Sequence, residues 1–209
     1  MNNLGSEKIQ KIVDKNSEEE FSPMNPPDAY NPPNSQPILY DKLHPLLQEL
    51  VDEHKLFDKI LDKFEVALHN WKSENWIFNE NINISFRNFF EFMDHTIPLH
   101  NQKEEREVFP FVKRLMIEKK EYNFVNSSYT GIDILEDEHL KVAQAAAIVF
   151  NFLGLGSQLP DEKSRNITFQ VVFDQGRAII ETMKLHIYRE ENIIFSDANF
   201  YLQQKGNIK

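Results

Sequence analysis

The sequence predicts an all-α protein: an antiparallel up-and-down four-helix bundle over residues 39–203, behind a flexible Pro/Asn-rich N-terminal arm (1–38) and ahead of a short C-terminal tail (204–209). Three observations predict it. Four segments carry apolar residues at alternating spacings of three and four, which draws one buried stripe along each helix. The connections between them are fairly short, as antiparallel neighbours require. Each stripe also holds a histidine near its middle.

The arm is polar and crowded with Pro and Asn from Ser22 to Pro37, so it cannot bury enough apolar surface to offset its ordering entropy. The first helix, over residues 40–72, aligns Leu47, Leu50, His54, Phe57, Leu61, Phe64 and Leu68. In the second, over residues 83–118, the stripe is Phe86, Phe90, Met93, Ile97, His100, Glu104, Val108, Phe111 and Leu115. Pro98 and Pro110 should kink it or end parts of it. A loop containing Asn126, Ser127, Ser128 and Gly131 leads to the third stripe: Ile132, Leu135, His139, Val142, Ala146, Val149 and Leu153. Thr130 is its expected cap, with Asp133 three residues on. Gly154 and Gly156 are expected to stop that helix, and Pro160 with Asp161 to start the next. The fourth stripe is Phe169, Val172, Gly176, Ile179, Met183, His186, Glu190 and Ile193.

Composition narrows the chemistry. A formal charge of −10 and a pI near 5.2 disfavour a non-specific grip on nucleic acid and binding to an anionic membrane surface. With no cysteine there are no disulfides, thiolate zinc sites, iron–sulfur clusters or cysteine nucleophiles, so any metal must sit on nitrogen and oxygen. The first 15 residues lack the apolar core of a signal peptide, and the apolar run around Ala145 to Phe150 reads as too short to cross a bilayer. A cytoplasmic location is the resulting expectation.

Two of the four stripes carry a glutamate four residues after the histidine. Desolvating a carboxylate costs several kcal/mol unless it is paired or binds a metal, so Glu104 and Glu190 would be expensive as mere filling. Residues four apart share a helix face one turn apart, which makes His100 with Glu104, and His186 with Glu190, two ready chelates. The chain also repeats itself: 46 positions separate His54 from His100, and 47 separate His139 from His186. The run Leu50, Val51, Asp52, Glu53, His54 resembles Leu135, Glu136, Asp137, Glu138, His139, and the segment His100 to Phe109 parallels His186 to Phe195. Two helix pairs of one design would gather four imidazoles and two carboxylates around one point with approximate two-fold symmetry. A sulfur-free set of this kind suits iron or manganese, with zinc and copper also compatible.

The order His, His-x-x-x-Glu, His, His-x-x-x-Glu on four helices, with Glu104 and Glu105 followed by Phe109 and Pro110, resembles the hemerythrin-like HHE cation-binding family over roughly residues 40–197. The resemblance implies two iron ions joined by an oxo or hydroxo bridge. One would be held by His54 and His100, the other by His139 and His186, with Glu104 and Glu190 bridging. Reversible oxygen carriers of the family have a fifth histidine one turn from the third-helix ligand; here Leu135 and Ala143 flank His139. Each iron would therefore keep an open position, which implies reaction with oxygen, peroxide or nitric oxide, or iron handling, rather than simple oxygen carriage. Glu105, Glu191, Asp58 and Glu136 are the nearest further carboxylates, at poorer angular positions.

Other readings are weaker. His44, His69 and His95 have no place in the stripes and are assigned to capping or surface roles; Glu105, Glu107 and Glu191 belong to a solvated face with outer contacts at most. The ferritin-like carboxylate bundle needs Glu-x-x-His on two helices, and only Glu136 with His139 fits, because Val51 stands at the equivalent position before His54. Zinc-peptidase, phosphate-loop and serine-hydrolase motifs are absent. The alternative from another class is a metal-free helical interaction module whose polar core sets pairing specificity.

Overall fold

The computed structural model describes residues 38–119 and 129–206, and every regular element among them is helical. The expected arm up to residue 37, the loop residues Asn126 to Ser128 and the end of the tail lie outside the described residues. After a short 3-10 turn (Tyr40–Lys42) come α1 (Pro45–Ser73), α2 (Glu80–Glu91), α3 (Ile97–Glu107), α4 (Phe109–Lys119), α5 (Gly131–Gln158), α6 (Glu162–Arg189) and α7 (Phe195–Gly206). A π turn, Phe92–Thr96, joins α2 to α3, and another, Glu190–Ile194, joins α6 to α7. The described chain thus forms five continuous helical runs.

Local sequence explains where each begins and breaks. Pro45 opens α1, where its missing N–H costs nothing, and the His44 ring caps it by accepting the Leu46 N–H at 3.3 Å through Nδ1. Asn79 caps α2, Asp161 caps α6, and the Thr130 N–H donates to Asp133 at 2.7 Å to close the expected box on α5. Pro98 cannot donate to the carbonyl four residues back and its ring crowds that carbonyl. The helix widens in the turn just before it, and the Ile97 N–H reaches back five residues to Phe92. Pro110 acts the same way at Val108, so the predicted second helix is two helices, with α4 separate.

Two expectations are corrected. Gly154 and Gly156 do not stop α5, which runs on to Gln158. Gly156 instead admits the Phe169 ring: a Cβ there would lie 2.3 Å from the ring, whereas a Cβ at Gly154 would meet nothing within 4 Å. Gly154→Ala is accordingly expected to stabilise the protein by about 0.5–1 kcal/mol through helix propensity. Gly156→Ala should destabilise it by about 1–3 kcal/mol through overpacking, as read from denaturant midpoints. The second correction concerns the apolar run in α5. By length and composition this helix meets the measure of a membrane-crossing segment, although Ile132, Leu135, Val142, Ala146 and Val149 turn into the core.

The helices α1 and α2 pack together, α6 lies along both α1 and α5, and α4 lies against α5 and α7. Buried apolar side chains fall into two clusters. One gathers Phe57, Phe64, Trp71, Phe86, Val149 and Phe169; the other gathers Leu47, Leu50, Phe109, Val112, Ile132 and Phe195. Along α1 the change from one cluster to the other falls at His54, between Val51 and Phe57, and along α5 at His139, between Leu135 and Val142. The histidines and glutamates therefore form a polar layer held between two dry regions.

Candidate metal centre

All six residues singled out in the stripes converge. His54 on α1, His100 and Glu104 on α3, and Glu190 at the end of α6 offer ligand atoms within 4.8 Å of one another; Glu104 and Glu190 form a second such group with His139 on α5 and His186 on α6. The two glutamates are shared between groups, one oxygen to each side. Glu104 Oε1 stands 3.1 Å from His100 Nε2 and its Oε2 3.5 Å from His139 Nε2. Glu190 Oε1 stands 3.1 Å from His186 Nε2 and its Oε2 3.3 Å from His54 Nε2. Both carboxylates are fully buried.

Each imidazole turns Nε2 inward and Nδ1 outward to a further carboxylate. His54 Nδ1 donates to Glu191 at 2.9 Å, His100 Nδ1 to Glu53 at 2.7 Å, His139 Nδ1 to Glu105 at 2.9 Å and His186 Nδ1 to Glu138 at 3.0 Å. The pattern repeats with the sequence: the residue before a histidine of one helix holds the histidine of the next, and the residue after each central glutamate holds a histidine across the centre. Lys103, three after His100, grips Glu53 at 2.5 Å, and Arg189, three after His186, grips Glu138. Phe195 stacks on His54 and Phe109 on His139, each with ring centroids 5.8 Å apart. Such outer contacts fix ring orientation and tautomer and raise imidazole basicity.

This geometry tests whether cations belong here. A hydrogen bond from Nδ1 to a carboxylate leaves the lone pair of a neutral imidazole on Nε2. Those lone pairs face each other at 3.2 Å (His54, His100) and 3.0 Å (His139, His186), and face four carboxylate oxygens that accept no hydrogen bond. Uncompensated, such a cluster of acceptors is prohibitively costly in a dry interior. Positive charge must enter as protons or as metal ions. Without metal, protons enter. Burial is the largest influence on His54 and pushes its pKa down, but Glu190 and Glu191 outweigh it and raise it to about 9. For His186 burial is again overcome, by Glu190 and Glu138, and the value rises to about 10; His100 is raised by Glu104 and Glu53 against burial. Burial alone would raise the Glu190 carboxyl, yet His186 and His54 hold it well below its ordinary value. Glu53 falls to about 2 through its bond to His100, aided by Lys103.

Of the other candidates, His44 is a helix cap, and His69 and His95 are exposed. Asp58 and Glu136 join neither donor group; Lys113 lies 4.0 Å from Glu136. Glu105 and Glu191 make the outer contacts expected of them. Glu53 and Glu138 were missed, although a signal was present: a glutamate directly precedes both His54 and His139 in the repeat. Replacing either by glutamine keeps its size but weakens its hold on the ring, and is expected to lower metal affinity about 10–100-fold in a competitive chelator titration. The chain matches no protein-family model, no curated protein and no solved structure.

Proposed function

We propose that this protein is a hemerythrin-like four-helix bundle, built from α1, the α2–α3 rod, α5 and the α6–α7 rod, that holds two iron ions in its polar layer. The observation that carries the reading is the pair of buried carboxylates whose four oxygens accept no hydrogen bond, each glutamate divided between two inward-facing imidazole pairs. Nitrogen and oxygen donors without sulfur suit iron, and manganese or zinc would fit the same donors. His54 and His100 would hold one ion, His139 and His186 the other, with Glu104 and Glu190 touching both.

A bound iron pair would supply electrons to, and an open coordination position for, a small molecule such as oxygen, peroxide or nitric oxide. The chain's own residues set the conditions for that chemistry. The outer carboxylates fix the imidazoles, the two phenylalanines cover them, and the flanking apolar clusters exclude water. Leu135 lies in the core and Ala143 has no donor atom, so no fifth histidine fills the remaining position.

Anaerobic titration of metal-stripped protein with ferrous iron, followed by oxidation, tests this. Near-ultraviolet charge-transfer absorption of a ferric pair should grow to a break near two irons per chain, and His100→Ala should remove both the break and the colour. A titration with no break in the wild-type protein would overturn the reading.

A further inference from the structure

The polar layer is less symmetric than its donor set. Three residues after His54 stands Phe57, whose ring packs edge-on against His100 with centroids 4.6 Å apart. Three residues after His139 stands Val142, which is smaller and leaves space. A cavity of about 20 Å³ lies there, walled by Phe57, Ile97, Val142, Met183 and Ile187 and edged by His100, His139 and His186. That is room for one water or one diatomic molecule. Side-chain exposure follows the same asymmetry: 1% and 4% at His54 and His100, but 10% at both His139 and His186.

A second hollow, of about 450 Å³, opens to solvent between the α2–α3 rod and α5, where Ala143, Ala146 and Ala147 present small side chains opposite Phe90 and Met93. It shares two residues with the inner cavity, Ile97 and Asn101. Ile97 follows the π turn directly, so the widened backbone sits beside the junction of the two spaces. Apart from the three imidazoles, Asn101 and the Glu138 carboxylate the lining is apolar, so an anion would lose its hydration and meet like charge at Glu138, whereas an uncharged diatomic gas loses almost nothing.

Resting on the proposed metal centre, we infer that an uncharged diatomic molecule of the dioxygen or nitric oxide kind enters along the groove between the α2–α3 rod and α5. It passes between Ile97 and Asn101 and lodges on the His139–His186 side, where Val142 leaves room. Val142 sets the place of binding, and Ile97 with Asn101 sets the rate of entry.

Two measurements test this separately from the metal reading. In zinc-loaded protein under oxygen pressure, paramagnetic relaxation of the Val142, Met183 and Ile187 methyl groups should exceed that of Val51, which is buried to a similar degree in the other apolar cluster, and Val142→Phe should erase the excess at Met183 and Ile187. Equal relaxation at Val51 and the cavity methyls, in zinc-loaded and metal-free protein alike, would overturn the binding place even if zinc loads fully. Protein that shows no break in the ferrous titration while the cavity methyls still relax faster would sink the metal reading and leave the cavity standing. For the route, the reduced iron-loaded protein is mixed with nitric oxide in stopped flow. Ala147→Phe, on the exposed rim of the groove, should slow association several-fold, and Ile97→Ala should speed it, with metal content unchanged in both. Rates unmoved by both substitutions, or azide entering as fast as nitric oxide, would overturn the route.

Discussion

Glu190→Ala is expected to empty the proposed metal centre, taking metal content from about two ions per chain on that reading to well below one. Glu190 belongs to both donor groups, its two oxygens lying 3.3 Å and 3.1 Å from His54 and His186, so its loss damages both positions at once. A ligand present at a thousand times its Kd stabilises a fold by about 4 kcal/mol. For a chain of this size that corresponds to about 8–16 °C in Tm. The variant should therefore lose the metal-dependent part of its Tm and melt at the same temperature whether or not metal is supplied. A metal-free interaction module behaves differently. Its buried polar groups would be replaceable, and Glu104→Leu with Glu190→Leu would leave stability unchanged or raise it by about 1–4 kcal/mol. Calorimetry with and without added metal separates the two.

The second large effect is a divergence between the metal-free and loaded forms as pH rises. In metal-free protein His54 and His186 have folded-state pKa values of about 9 and about 10 against an ordinary 6.5. Their contribution is fully present below 6.5 and is lost as pH climbs through 9 and 10. Glu190 and Glu53, held below their ordinary 4.5, contribute above that value and lose their effect as pH falls, Glu53 through about 2. Metal-free protein should thus be most stable between about pH 4.5 and 6.5 and lose on the order of a few kcal/mol toward pH 10. Ions in the same positions compete with protons rather than depend on them, so loaded protein should hold its stability over that rise and lose metal in acid. Denaturant unfolding of both forms across pH 5–10 checks this; parallel curves would show that the imidazoles carry no extra protons in the metal-free state.

The central donors were legible in the sequence because two independent periodicities coincide at them: the helical stripe and the internal repeat. His54 and His139 stand at equivalent places in both, and neither a surface residue nor a chance core histidine would satisfy both. The outer carboxylates were not legible in the same way. Glu53 and Glu138 lie on the flank of their helices, where most glutamates meet only water, and their partners are histidines of another helix. Only packing brings Glu53 to His100. The glycines of α5 misled for a related reason. Gly156 reads as a helix stop from local propensity, but its small size serves a ring on α6. The break at Val108 follows from Pro110, whereas the π turn at Glu190–Ile194 occupies the corresponding stretch of the second repeat without a proline to announce it. The inner cavity was invisible because it depends on the difference between Phe57 and Val142 as their helices close around the centre.

Iron-edge anomalous diffraction from a crystal of iron-loaded protein would locate the ions themselves. Two peaks are expected, one among His54, His100, Glu104 and Glu190 and the other among Glu104, His139, His186 and Glu190. Peaks lying elsewhere, a single peak, or none with the six side chains unchanged in position would contradict the proposed two-iron centre.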